Sequence, residues 1–529
     1  MRKLYYNGTI LTMENELPVV DALVICDGKI EFVGTYEDVN NRGDISEEIN
    51  LKGNTMLPAF IDAHSHFSAV ANSFLQVSLN ESTSFHEISS RIRNFIDAHD
   101  VKPGEWINAK GYDHNLLIEK RHPDRFFLDT CCPENPLVLQ HASGHVGVFN
   151  STGLSVLGVT VQTTVPYGGF IEIKDGELTG YMEENAFLEY LRKVPMPDMS
   201  VLMDAYCKAQ QLYASYGITT IQEGFAVKEM IPFYQYLLEH NRLTLDVVAY
   251  MDMKDDKHFF DYFPNCIKQY CNGFKLGGYK IFLDGSPQGR TAWVRVPYEY
   301  ENDDDDYCGY GTMTDEKVVD AIKLAGDKGL QILAHCNGDA AIQQYLHAIK
   351  KVTRDMDIQS IRPVIIHAQL IGIDQLDLVK QLELIPSFFI GHVFHWGDIH
   401  VLNLGIDRAA HISPAGSALE KDITFTFHQD APVIEPNMLE TIWCAVNRIT
   451  KSGKKLGENE GIDVLDALKA VTINAAYQYF EEDIKGSIKV GKNGDFVILD
   501  KNPLTVDKME ISNILVLETI KEGKTIFVR

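Results

Sequence analysis

Between residues 217 and 430 the chain alternates short apolar runs with stretches whose apolar residues recur every three or four positions. The apolar runs are GITTIQEG (217–224), LTLDVVAYMD (243–252), GYKIFLDG (278–285), LQILAHC (330–336), RPVIIHA (362–368), LELIPSF (382–388) and ITFTFHQD (423–430). Runs of this length, rich in branched apolar residues, predict strands buried on both faces. DEKVVDAIKLAGDKG and GDAAIQQYLHAIKKV, which lie between them, predict amphipathic helices. The run MLPAFIDAHSHF (56–67) adds a first strand, for eight in all. Eight strands alternating with helices predict an α/β chain closed into a (β/α)8, TIM-type barrel. A doubly wound open sheet is the competing pattern, but the chain has neither a G-x-G-x-x-G nor a Walker loop.

The two ends follow a different rhythm. KLYYNGTILTM, DALVICDGKIEFVG and EINLKGNTMLP, then GSIKVGKNGDFVILD and ILVLETIKEGKTIFVR, alternate apolar with polar residues. Their Asn-Gly and Asp-Gly pairs are hairpin signals. Neither end is long enough for its own core. Residues 1–56 and 484–529 are therefore expected to build one small composite β-sandwich, with 57–483 as the barrel. From His66 to Gly217 is 151 residues, against about 30 for one βα unit of such a barrel. A large insertion after strand 1, about 68–205, is expected, containing a hairpin and helix in GGFIEIKDGELTGYMEENA. The acidic run Asp303 to Asp306 predicts a solvated loop tip after the fourth strand.

Composition narrows the classes. A net charge of -26 argues against nucleic acid and anionic membranes as partners. No apolar run approaches the ~18 residues of a membrane-spanning helix. MRKLYYNGTILTMENE carries no apolar core or small-residue cleavage site, so no signal peptide is expected. Nine cysteines, an odd number without C-x-x-C, predict reduced thiols in the cytoplasm.

The chemistry begins at His64 and His66. On a strand, residues two apart point the same way, and two neutral imidazoles on one face can grip a metal ion. His335 ends the fifth predicted strand, His367 the sixth and Asp430 the eighth, and Lys280 lies within the fourth. The carboxyl ends of barrel strands are where catalytic groups converge. Any one of these residues alone is more often structural. Together their spacings, 32 residues from His335 to His367 and 63 from His367 to Asp430, equal one and two βα units. Other schemes fit less well, because no G-x-S-x-G elbow and no cysteine in a nucleophile context is present.

The order H-x-H, Lys, His, His, Asp on strands one, four, five, six and eight resembles the metal pattern of the amidohydrolase superfamily. The closer resemblance is to amidohydrolase family 3, the branch that includes N-substituted formamide deformylases. It is carried by LPAFIDAHSHF, HASGHVGVFNSTGL, GITTIQEG, YKIFLDGSPQGRTAW, HCNGDAAI, IIHAQL and DAPV, and spans nearly the whole chain. Two positions depart: Ile366 stands where members often carry Glu, and Gln429 where many carry Ser.

The resemblance implies a divalent metal cofactor, Zn²⁺ by expectation, as one or two ions. His64 and His66 would hold the more buried ion, and His335 and His367 the second. Lys280, carboxylated, would bridge them, and Asp430 would bind the first ion and handle the proton. The implied activity is hydrolysis of carbon–nitrogen bonds other than peptide bonds by attack of metal-bound hydroxide. Linear amides such as N-substituted formamides are the expected small-molecule substrates. An imidazole or guanidinium would stabilise the oxyanion, and His141, His145, His392 and Arg290 are the candidates. Tyr112, Trp293, Phe394 and Trp396 are candidates for an apolar pocket, although aromatics at this density are more often core. Two alternatives stay open: a cyclic amide hydrolase or deaminase on the same scaffold, and a catalytically silent, metal-stabilised binding protein. A homodimer is compatible with such a barrel.

Overall fold

Eight parallel strands pair in chain order, each with the next. They are β1 (Phe60–Ile61), β2 (Ile218–Ala226), β3 (Asp246–Met251), β4 (Phe274–Phe282), β5 (Gln331–Cys336), β6 (Val364–His367), β7 (Ile385–Phe388) and β8 (Thr426–Phe427). The computed structural model describes residues 2–39, 44–142, 145–195, 197–299 and 306–529. Every residue of β3, β6 and β7 is buried, as expected of parallel strands covered on both faces.

The helix Asp315–Lys328 shows how the coverings form. Thr314 caps it by accepting from the Lys317 N–H, and Gly329 ends it in the left-handed conformation at φ 59°. Val318, Val319, Ala321, Ile322 and Ala325 form its buried stripe.

Residues facing inward from the sheet, among them Ile61, Val248, Tyr250, Leu333, Val364, Ile366 and Ile385, pack on Ala475, Ala476 and Tyr479. Among the described residues no ladder joins β1 to β8. The sheet nevertheless curls, because the rings of His64, just after β1, and His428, just after β8, lie 5.2 Å apart.

The run MLPAFIDAHSH is not one strand. Thr55–Pro58 joins the terminal sheet, and only Phe60–Ile61 opens the parallel one. Pro58 has no N–H to donate, and the Ala59 N–H already donates to Asp495 O, so the chain changes sheets here. β4 also starts earlier than its apolar signal, at Phe274.

Both termini share one eight-stranded sheet. Five N-terminal strands, from Arg2–Leu11 to Thr55–Pro58, meet Phe496–Leu499, Val516–Lys521 and Lys524–Val528. The join is antiparallel, with Met56 opposite Ile498. Tyr5, Ile10, Leu23, Met56, Phe496 and Ile498 form its core. At the start of β3 and β4 lies a buried ion network. Lys275 bonds Glu481, Lys485 reaches Asp246 and, at 3.0 Å, Glu481, and Lys521 reaches Asp246 at 2.9 Å.

Residues 69–208 form a second compact unit. Its six-stranded sheet runs Gly169–Lys174, Glu177–Glu183, Val146–Phe149, Leu137–His141, Ile107–Tyr112, Gln76–Ser78. The hairpin expected in GGFIEIKDGELTGYMEENA pairs Ile173 with Leu178 and leads into the helix Glu184–Leu191. Of the acidic run, Asp303, Asp304 and Asp305 lie outside the described residues. No helix among the described residues is long and apolar enough to cross a membrane.

Candidate metal centre

His64 and His66 lie beyond the end of β1, His64 in a bend and His66 in an isolated antiparallel bridge to Glu223. The His66 N–H donates to Ala431 O and the Gly224 N–H donates to Ser65 O, so cross-segment bonds and not strand alternation aim the two rings. His64 is fully buried. Its Nδ1 bonds Gln222 Oε1, whose amide nitrogen donates to Ala63 O and to Tyr479 Oη, each at 2.9 Å. Gln222 therefore fixes the tautomer, and the unprotonated Nε2 faces the site. That Nε2 is 3.1 Å from Lys280 Nζ and 3.4 Å from Asp430 Oδ1. His66 Nε2 is 3.3 Å from the same oxygen.

Asp430 follows β8 with φ 55°, and His367, the last residue of β6, has φ 72°. Strained backbone of this kind is kept where the surroundings fix it, commonly at functional sites. Asp430 Oδ1 is buried and makes no hydrogen bond among the described residues. Burial opposes its charge, but His66, His428 and Lys280 hold the carboxyl below its ordinary range. Burial brings the Lys280 amine down to about 7, with Asp430 opposing the change.

His335 and His367 stand together, Nδ1 to Nε2, at 3.0 Å. The far nitrogen of His335 lies 3.2 Å from Gly285 O and 3.1 Å from Asn337 Nδ2. The far nitrogen of His367 meets His428 Nε2 at 3.2 Å, and His428 Nδ1 meets Ser387 Oγ at 2.9 Å. Burial, before any neighbouring charge, takes His335 to about 4 and His428 to about 3, and pushes His64 and His367 well below 6.5. The site thus presents neutral imidazoles. One donor atom each from His64, His367 and Asp430 lie within 4.8 Å of one another. A buried carboxylate oxygen facing imidazole nitrogens is a donor set suited to a divalent cation.

A profile of the amidohydrolase family matches residues 47–527. The chain belongs to that family. This amidohydrolase is 25% identical to YtcJ of Bacillus subtilis, over 100% of this chain and 99% of that one. It is 24% identical to the N-substituted formamide deformylase of Arthrobacter pascens, over 98% and 96%. An uncharacterized metal-dependent hydrolase from Pyrococcus horikoshii has a similar structure, with TM-score 0.77 and 26% identity, covering 96% of this chain and 99% of that one. The amidohydrolase is accordingly a metal-dependent hydrolase of carbon–nitrogen bonds.

The other four catalytic or oxyanion candidates have their own surroundings. His392 is buried, with Nδ1 3.0 Å from His400 Nε2, and Phe389 packs against it and against His428. Arg290 lies in the loop after β4 with φ 57°. His141 and His145 belong to the 69–208 unit. There His145 is largely exposed beside Glu184, and His141 adjoins His114. Of the aromatic candidates, Tyr112 is core in that same unit, Trp396 packs on His392 and Phe394 packs on Trp443.

Sequence reasoning missed Gln222, His428 and Asp284. Asp284 is almost wholly buried and accepts from the N–H groups of Trp293, Asn337 and Gly338. It ties the loop after β4 to the end of β5, and burial pushes its carboxyl up to about 7. The H in FTFHQD, two residues before Asp430, was a signal that could have found His428. Gln222 is one polar residue in an apolar strand, and nothing in its spacing marks it.

Proposed function

We propose that this amidohydrolase hydrolyses linear amides, N-substituted formamides foremost, at the centre formed by His64, His66, Lys280, His335, His367 and Asp430. One observation carries the reading: the buried Asp430 Oδ1 faces the ring nitrogens of His64 and His66 at 3.4 and 3.3 Å and makes no hydrogen bond of ordinary geometry among the described residues. The formamide class is supported by the deformylase of Arthrobacter pascens, alike over nearly the full length of both chains. Zn²⁺ is the ion we infer, since imidazole and carboxylate donors suit it. Once bound, such an ion polarises a carbonyl and makes water a nucleophile near neutral pH.

The side chains do the rest. His64 and His66 with Asp430 would hold one ion, and His335 with His367 a second. Lys280 would join them as a carbamate ligand: its neutral amine would add to carbon dioxide, forming an N–C bond and releasing one proton. An amine brought to about 7 is free to react this way near neutral pH. Asp430 takes the proton from the attacking water at its carboxylate and returns it to the departing nitrogen. His392 is the best supported oxyanion group, because Phe389 packs against both it and the histidine cluster.

We also read the parallel sheet as a closed barrel and the terminal sheet as a sandwich. The contact of His64 with His428 and Asp430 supports the first. The second is supported by apolar clusters around Tyr5 and around Leu4, which alternate along one strand. Nine cysteines without a disulfide among the described residues fit a reducing cytoplasm.

Asp430→Asn tests the reading. On a panel of linear amides, lactams and aminated heterocycles, the parent is expected to turn over formamides. The variant should keep its metal, by elemental analysis, and lose kcat by roughly 10²–10⁴-fold. Equal turnover in parent and variant, or turnover of only cyclic or aminated substrates, would refute it.

A further inference from the structure

In the 69–208 unit, strand Ile107–Tyr112 runs parallel to Leu137–His141 and sets Tyr112 beside His141. A register shift at Gly111 makes this pairing. Gly111 has φ 102°, and a Cβ there would lie 2.0 Å from Asn80 Oδ1, so the bend requires glycine. Beyond it, Asp113 and His114 fold back toward His141. His114 Nδ1 is 3.3 Å from His141 Nε2, and Asp113 Oδ1 is 3.7 Å and 3.6 Å from those two atoms. A point equidistant from all three lies about 2.0 Å from each, the length of a Zn–N or Zn–O bond.

The surroundings hold these donors in place. Asp113 Oδ1 accepts from the Asn115 N–H at 2.8 Å and from its side-chain nitrogen at 3.0 Å. The His122 ring stacks on His114 at 4.0 Å between centroids, and its Nδ1 meets Tyr112 Oη at 3.0 Å. His114 and His122 also line a cleft of about 630 Å³ shared with Glu172, Thr179 and Tyr181. An ion at the three donors is therefore reachable from solvent.

We propose that Asp113, His114 and His141 form a second metal site, for a borderline divalent ion of the Zn²⁺ type, with its remaining coordination open to the cleft. This goes beyond the amide chemistry and gives His141 a duty other than oxyanion stabilisation. Two nitrogens and one oxygen, with open positions, match the three-ligand pattern of an accessible zinc site.

The test is a metal count on the full chain. Protein stripped with chelator, re-equilibrated with Zn²⁺ and freed of excess is analysed for zinc per chain. His114→Ala combined with His141→Ala is expected to bind one ion fewer than the parent. Lys174→Ala, in the lining of the same cleft, should bind the parental number. Equal counts in the double variant and the parent overturn the proposal. A second measurement uses unaltered protein, so it does not depend on the variant folding. Zn²⁺ should slow diethyl pyrocarbonate modification of His114 and His141, read by peptide mass spectrometry, and leave exposed His99 unaffected. Unchanged rates at His114 and His141 overturn the proposal equally. Neither readout involves amide turnover, so failure here is distinct from failure of the amidohydrolase reading.

Discussion

At the residue scale, the centre depends on which nitrogen of each histidine carries a proton. Gln222 makes that choice for His64 and is itself held by Ala63 O and Tyr479 Oη. Gln222→Leu keeps the volume but removes the acceptor, leaving the ring free to adopt either tautomer. Metal affinity should fall by roughly 10–100-fold, the usual effect of losing such a partner, while Gln222→Glu should retain more of it. Chelator competition with a metal-sensitive dye measures both. The ligand candidates were legible in the sequence, because His-x-His and isolated His, Lys and Asp at strand ends stand out as residue types. Gln222 was not, since a single amide in an apolar strand looks the same whether it orients a ring or fills a gap.

At the element scale, β4 carries Lys280 and is placed by glycine. Gly278 pairs with Gln331 of β5, and a Cβ at Gly278 would meet Gln331 O at 1.9 Å. Gly278→Ala must push the strands apart two residues before Lys280. Overpacking of this kind costs about 1–3 kcal/mol, so a denaturant midpoint should fall and metal retention should weaken with it. Strand existence was legible from apolar runs between helical stretches, but the extent of the first strand was not. The pattern from Met56 to His66 is equally compatible with one long strand or two short ones. The sheet change at Pro58 is decided by partners hundreds of residues away, at Asp495 and Phe496.

At the scale of the whole molecule, two sets of buried charges set the pH range of stability. Glu481 sits among Lys275 and Lys485. Burial opposes its charge, yet these lysines hold its carboxyl below the ordinary 4.5. A folded value below the unfolded one means that this stability is present above 4.5 and is lost as pH falls through the folded value. Glu481→Gln should cost about 3–5 kcal/mol at pH 7, because it strands buried lysine charge, and should flatten acid unfolding below 4.5, followed by circular dichroism.

The imidazoles of the candidate metal centre act in a higher window. In metal-free protein they are held below 6.5. The unfolded chain then binds more protons, and stability drains at about 1.4 kcal/mol per pH unit per group as pH falls below 6.5. Metal-free protein should therefore unfold at a lower Tm at pH 5.5 than at pH 7.5, and Zn²⁺ at a hundred times its Kd should add about 2.7 kcal/mol at either pH. Scanning calorimetry with and without metal checks this. The sequence by itself determined the residue types, the eight apolar runs and their order, because hydrophobic periodicity and turn chemistry act over a few neighbours. Only the tertiary structure decided that strands from both ends share one sheet, that Gln222 bonds the His64 ring and His428 meets the His367 ring, and that Asp113, His114 and His141 converge. Those outcomes depend on how a sheet curls and where distant segments meet, and no local pattern encodes such a distance.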